Sequence, residues 1–330
     1  MKTKPDMTKL KTFKALTDTA AQVFGDVHFM EYKTPEGVAA KTYRQLKADA
    51  DAFSSFLLSA AGKEAHVAMV GPACYNWAAA FFGVVNCGGV AVPLAPAETD
   101  DMNVKLVEFA DVTVFVFDSA HLSLYKKIRA HLPQVKVFVC ISDGETPADA
   151  LDFTHTVQNT PAVSFPAPAP DALCAIMYTS GTTGFPKGVM LTHENFLSAA
   201  TYVHDSYPTQ RMMGCLPFHH AFGLTGNITK TVVYGRTLCL NDDLKNLIAD
   251  FRLYKPNGML AVPQIVKFLM SAALRFAEEK KDEMTEPEAV RAFFGGAFLL
   301  ISCGSAPLDK DLNDRWNATG IGVYNGYGMT

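Results

Sequence analysis

Between His66 and Ile141 the chain alternates short apolar runs with longer helix-compatible ones, and this alternation restricts the possible folds more than any other feature. "HVAMVG", "VAVPLA", "VTVFVFD" and "VKVFVCI" read as almost wholly apolar strands, with "CYNWAAAFFGVVNC", "MNVKLVEFAD" and "LSLYKKIRAHL" as the helices between them. Strands that are apolar on both faces need cover on both faces, and helices supply it when the sheet is parallel. The pattern resumes beyond the proline-rich stretch "TPAVSFPAPAP" (160–170), which reads as an extended linker. "LCAIMYT", "GVML", "RTLCL", "GMLAVP" and "FLLISCG" read as strands; "HENFLSAATYV", "LKNLIADFRLY", "QIVKFLMSAAL" and "LDKDLNDRW" read as helices, with Thr192 as an N-cap.

The expected fold is therefore α/β, with two doubly wound parallel-sheet subdomains packed together. The first covers about 50–205 and the second about 206–330, possibly joined by 1–49. The length supports two units, because 330 residues exceed one ordinary core. Hydrophobic residues make up 49% and charged residues 19%, enough apolar material for a large interior. A net charge of −4 shows no basic excess and argues against nucleic acid as a partner.

The uncharged stretch Trp77–Ala97 is long enough to span a bilayer, but Gly88, Gly89, Pro93 and Pro96 break it into a buried helix, a turn and a strand. No transmembrane segment is expected. The seven cysteines are scattered singly and read as reduced core residues, and "MKTKPDMTKLKTFKAL" lacks the apolar run of an export signal, so a cytoplasmic location is expected. The charged run "EEKKDEMTEPE" reads as solvated surface.

One segment carries the chemistry. "YTSGTTGFPKGVMLTH" (178–193) is not the common phosphate loop, because Pro186 and Gly188 stand where that motif needs Gly and Ser or Thr. Thr179, Ser180, Gly181, Thr182, Thr183 and Gly184 nevertheless offer successive N–H groups and hydroxyls that suit polyphosphate oxygens. Lys187 adds a point charge, and Pro186 fixes the backbone before it. A strand follows this loop, so no helix N-terminus helps to hold the anion. Composition alone leaves a plain surface loop as an equal alternative.

The order of residues goes further. The segment closely resembles the signature loop of the adenylate-forming enzymes, which include acyl-CoA and aryl-CoA synthetases, adenylation domains of peptide synthetases, and beetle luciferases. "LPFHHAFGL" (216–224), "SCGSAPL" (302–308) and "NGYGMT" (325–330) resemble further family segments in the same order, so the resemblance runs from about Thr42 to Thr330.

The resemblance implies ATP-dependent activation of a carboxylic acid to an acyl-adenylate and transfer to coenzyme A, with Mg²⁺ assisting. It places Thr179 to Gly184 and Lys187 on the phosphates, with Thr182, Lys187, His220 and Thr330 nearest the chemistry. Gly304, Ser305, Ala306 and Pro307 would lie along adenine and ribose, beside Asn325, Gly326, Tyr327, Gly328, Met329 and Thr330. Phe218, His220, Phe222 and Gly223 would shape the acyl pocket, His220 orienting the carboxylate. His219 is expected to pack rather than react, since adjacent strand residues face opposite sides. His66, His121 and His193 lack metal-ligand spacing and are expected to be structural or exposed. Many relatives have Gly at the place of Ser305.

In relatives the position after Thr330 is a glutamate that helps hold Mg²⁺, followed by a ribose-binding aspartate, a hinge and a small lid domain with a lysine. The resemblance thus implies a truncated large domain with impaired catalysis and no metal ligand of its own. "FFGVVNCGGVAVPLAP", "LCLNDDLKNLIADFRLYKPNGMLAVP" and the overall apolarity resemble the medium- to long-chain fatty acyl-CoA synthetases. An aryl-CoA ligase, a peptide-synthetase adenylation domain, and a catalytically idle nucleotide- or acyl-binding module are the alternatives.

Overall fold

The strands read between His66 and Ile141 form the middle of a seven-stranded sheet in the computed structural model, which describes residues 5–142, 144–179, 186–201 and 209–330. The strands along the chain are β1 (His28–Thr34), β2 (Gly37–Thr42), β3 (His66–Val70), β4 (Val90–Pro93), β5 (Val114–Phe117), β6 (Val137–Cys140) and β7 (Leu151–Asp152). They continue with β8 (Leu173–Thr179), β9 (Lys187–Thr192), β10 (Arg211–Gly214), β11 (Thr237–Leu240), β12 (Gly258–Ala261), β13 (Leu300–Cys303) and β14 (Gly322–Asn325). One sheet has the order β7-β6-β5-β3-β4-β8-β9 and the other β14-β13-β12-β10-β11-β1-β2.

Each sheet is parallel except at one edge. β8 and β9 pair antiparallel, as do β1 and β2, so the two doubly wound sheets, parallel through their interiors as expected, are each mixed at one edge. Short connections explain the difference. Seven residues separate β8 from β9 and two separate β1 from β2, too few for a crossover back to the same end of the sheet. The two strands of the β1–β2 hairpin, half exposed and polar along much of their length, join the second sheet through a parallel pairing of β1 with β11.

The uncharged stretch that could have spanned a bilayer is the helix Tyr75–Asn86, the turn Gly88–Gly89 and strand β4. From Trp77 to Asn86 every residue of that helix is buried, as a helix apolar all round requires. Its one interior polar side chain, Asn86, donates from Nδ2 to Thr17 Oγ1 at 3.0 Å. Among the described residues no helix is long and apolar enough to cross a membrane. None of the seven cysteines is in a disulfide.

The helix joins the two units. Phe13, Phe29, Trp77, Phe81, Phe82, Phe196 and Phe218 share one core with Leu224 and Leu238 of the second unit. A second cluster lies among the helices on the β10–β14 side, around Phe251, Phe294 and Trp316. The proline-rich stretch forms neither helix nor strand and is tied to its surroundings by Val163 N–H donating to Ser55 Oγ at 2.9 Å and by Pro170 O accepting from Glu194 N–H at 2.9 Å. Within the charged run, Glu286 opens the helix Glu286–Phe293, where Thr285 N–H donates to Glu288 at 2.9 Å.

Candidate nucleotide and acid site

The β8–β9 hairpin presents Lys187 at the end of its ladder. Thr179 and Lys187 are the last registered pair, and the Thr179 hydroxyl donates to the Lys187 carbonyl at 3.4 Å. The Lys187 side chain is exposed, and no described residue offers it a hydrogen bond or an ion pair. The stem below it is anchored by Tyr178, whose hydroxyl donates to Leu106 O at 2.7 Å. Burial pushes that phenol up to about 12, which keeps the donor in place. Ser180, Gly181, Thr182, Thr183 and Gly184 lie outside the described residues.

Below the stem, Thr192 caps the helix His193–Thr201 by accepting from Asn195 N–H at 3.3 Å, while Asn195 returns a bond to Thr192 N–H at 2.9 Å. His193, the first residue of that helix, is fully buried. Its Nδ1 accepts from Phe13 N–H at 3.4 Å, so the proton sits on Nε2, which has no hydrogen-bond partner among the described residues. Burial pulls this imidazole down to about 4.

The other segments gather at one edge of the second sheet. β10, β12, β13 and β14 are parallel neighbours in turn, and the order of winding reverses at β10, the next strand β11 lying on one side of it and the following strand β12 on the other. The crevice beyond the carboxyl ends of strands at such a reversal is where open α/β sheets bind ligands. "CLPFHHAFG" leaves β10 there, "GSAPL" leaves β13, and "GYGMT" leaves β14.

Contacts between these loops are close. Gly304 N–H donates to Ala261 O at 3.1 Å and Gly326 N–H to Cys303 O at 2.8 Å. A Cβ on Gly304 would lie 3.1 Å from Phe222 Cζ and 3.5 Å from Gly326 O. Phe222, Gly304 and Gly326, drawn from three separate segments, thus meet. Ser305, Ala306, Pro307 and Asn325 to Thr330 are exposed around them, Tyr327 90% so. Ser305 has a φ of +72°, in the left-handed region that favours Gly.

His219 and His220 lie in a turn rather than a strand, which corrects the alternating-face argument applied to them. Their ring centroids are 4.8 Å apart. His220 is exposed, whereas burial, reinforced by His220, lowers His219 to about 4. The turn is tight. His220 N–H donates to Pro217 O at 3.4 Å, and a Cβ on Gly223 would sit 2.1 Å from that same oxygen.

Beyond the turn the chain is π-helical from Leu224 to Thr229, with Thr229 Oγ1 donating to Leu224 O at 3.1 Å. Such segments are frequent at functional sites, and nothing in the apolar pattern announced this one. The helix His193–Thr201 packs against it, which is how the hairpin arm meets the histidine arm. Phe218 is directed into the core, its ring 5.7 Å from Trp77. Burial pushes the Cys215 thiol up to about 12, so it is no nucleophile. Among the described residues no group of three or more His, Cys, Asp or Glu is placed to hold a metal ion.

The sequence and the fold resemble those of known proteins. A family model described as AMP-binding enzyme matches residues 17–330. The chain belongs to the AMP-binding enzyme family. It is 27% identical over 309 residues to a sulfoacetate–CoA ligase of Cupriavidus necator, covering 88% of this chain and 58% of that protein. To the long chain acyl-CoA synthetase 8 of Arabidopsis thaliana it is 23% identical over 375 aligned positions, covering 96% and 51% respectively. The adenylation domain of the carboxylate reductase from Mycobacterium chelonae shares the fold at a TM-score of 0.81 and 22% identity, over 98% of this chain and 59% of that one. The chain therefore spans little more than half the length of these two curated relatives.

Proposed function

We propose that the chain is the nucleotide- and acid-binding part of an AMP-forming acyl-CoA ligase. The observation that carries this reading is the meeting of Phe222, Gly304 and Gly326 at the carboxyl edge of β10 to β14, with the His219–His220 turn on the same edge. Adenine and ribose would lie along Gly304, Ser305, Ala306, Pro307 and Asn325 to Thr330. Thr179, the 180–184 stretch and Lys187 would hold the phosphates. Phe222, Gly223 and His220 would face the acid, with Phe218 fixing the turn from behind.

In the reaction, a carboxylate oxygen attacks the α-phosphorus of ATP, and the bond to the bridging oxygen breaks to release pyrophosphate. The coenzyme A thiolate then attacks the acyl carbon, and the carbon–oxygen bond to AMP breaks. Two anions must approach in the first step, so a cation is needed. Lys187 is exposed, at the end of the β8–β9 ladder and uncommitted to any described carboxylate. Mg²⁺ would share the phosphate charge when bound.

The acid is proposed to be a medium- or long-chain fatty acid, on the apolarity of the chain and its likeness to a long chain acyl-CoA synthetase. Carboxylate-dependent exchange of labelled pyrophosphate into ATP, run with fatty, aromatic and sulfonated acids, tests this. Exchange confined to sulfoacetate or aryl acids would replace the fatty-acid reading. Absence of both exchange and ATP binding would remove the ligase reading.

A further inference from the structure

Trp77 belongs to a helix of the first unit, yet one of its ring neighbours, Phe218, belongs to the second. The indole is 1% exposed and stacks on Phe81 at 5.9 Å with an interplanar angle of 11°. Its backbone N–H donates to Cys74 Sγ at 3.4 Å, fixing it in the first turn of the helix Tyr75–Asn86. Phe218, 2% exposed, leans on the indole at 58°.

Phe218 immediately precedes His219 and His220. On one side of it, Leu216 O accepts from Asn227 Nδ2 at 3.5 Å; on the other, Gly223 backs onto Pro217 O. Those two contacts hold the turn to its own unit. The Phe218 ring reaches the helix of the other unit.

The array continues towards the hairpin. Phe81 meets Phe13 at 5.4 Å, and Phe13 meets both His193 and Phe196 at 5.6 Å, at the start of the helix that follows β9. One run of rings thus links the arm carrying Lys187 to the turn carrying the histidines.

We propose that Trp77 is a positioning residue that, through Phe218, sets the depth of the His219–His220 turn relative to the other unit. The proposal rests on the acid-activating role given to that turn, but its placement part can be tested without activity. Removing the indole would leave space on one side of Phe218, let the turn rise, and expose His219 to water. A change confined to general stability would leave that imidazole where it is.

The experiment is an NMR titration of the His219 imidazole in the 330-residue protein, as wild type, Trp77→Leu, Trp77→Phe and Phe218→Leu, with His121 as a remote control. In Trp77→Leu and Phe218→Leu, His219 is expected to titrate about one pH unit or more above its wild-type value, towards the ordinary imidazole value. In Trp77→Phe it stays near wild type, and His121 is unmoved throughout. In the exchange assay Trp77→Leu raises KM for the acid about tenfold with KM for ATP unchanged. Phe218→Leu keeps the test open should Trp77→Leu not fold. An unmoved His219 in either folded leucine variant overturns the proposal; a wild type that neither exchanges pyrophosphate nor binds ATP counts against the ligase reading alone.

Discussion

The Cβ position of Gly304 lies 3.1 Å from the Phe222 ring, so the loop after β13 and the helix start after the histidine turn have no room for one further methyl group. Phe222 is half-buried and its ring can tilt away. Gly304→Ala is therefore expected to cost less than about 1 kcal/mol in urea unfolding. The tilted ring would stand where substrate is proposed to lie. Affinity for an acyl-adenylate analogue, measured by calorimetry, is expected to fall about tenfold.

Gly223 is a harder case, because its neighbour is backbone. Gly223→Ala would place a methyl carbon 2.1 Å from Pro217 O, whereas Gly226→Ala would meet only the Leu260 Cδ2 methyl, at 2.0 Å. A leucine methyl can rotate aside; a carbonyl at the base of a tight turn takes the chain with it. The expected losses are about 3 kcal/mol or more at Gly223 and about 1–2 kcal/mol at Gly226, read as urea midpoints at constant slope.

Ser305 points the other way. Its φ of +72° costs a side-chain-bearing residue energy that glycine does not spend, though glycine gives some back through a freer unfolded chain. Ser305→Gly is expected to be neutral or to stabilise by up to about 1 kcal/mol in thermal unfolding. A loss of 1 kcal/mol or more, on the scale of a typical lost hydrogen bond, would mean that the hydroxyl holds the loop.

His193 makes stability depend on pH. Its folded value is about 4, below that of an unfolded imidazole, so between these values the unfolded chain binds more protons. The contribution is present above about pH 6.5 and is lost as pH falls towards 4, amounting to about 3 kcal/mol across that window. His193→Leu removes it. The difference in unfolding free energy between variant and wild type should shift in the variant's favour from pH 7 to pH 4, and a parallel profile would refute the assignment.

Lys187→Met separates binding from folding. An exposed side chain without a described partner contributes little to stability, so the unfolding free energy is expected to stay within about 0.5 kcal/mol. ATP affinity should fall about tenfold or more, and its salt dependence should weaken.

The parts of the fold legible in the sequence are those whose signal is local. β3 to β6 were readable because both faces of each strand are buried, leaving long apolar runs. β1 and β2 were not, because "HFMEYKT" and "GVAAKT" are half exposed and the pairing of β1 with β11 joins residues about two hundred positions apart. β7 is two residues long and leaves no pattern at all.

At the candidate site, the strings around Lys187, His220, Gly304 and Gly326 could be read, but not the contacts between them. The contact of Gly304 with Phe222 and that of Trp77 with Phe218 are tertiary, and no spacing encodes either. The alternating-face reading of His219 and His220 failed because the chain leaves β10 at Gly214, before reaching them, and turns.

The second sheet places β1 beside β11, while all of β3 to β9 lies between them along the chain. During synthesis the first hairpin emerges long before its partner exists, and the sheet that bears the histidine turn closes late. At about 5–20 residues per second the wait is on the order of ten seconds or more. Through that interval Phe29 and Met30, fully covered in the finished protein, must be sheltered by provisional neighbours or by a chaperone.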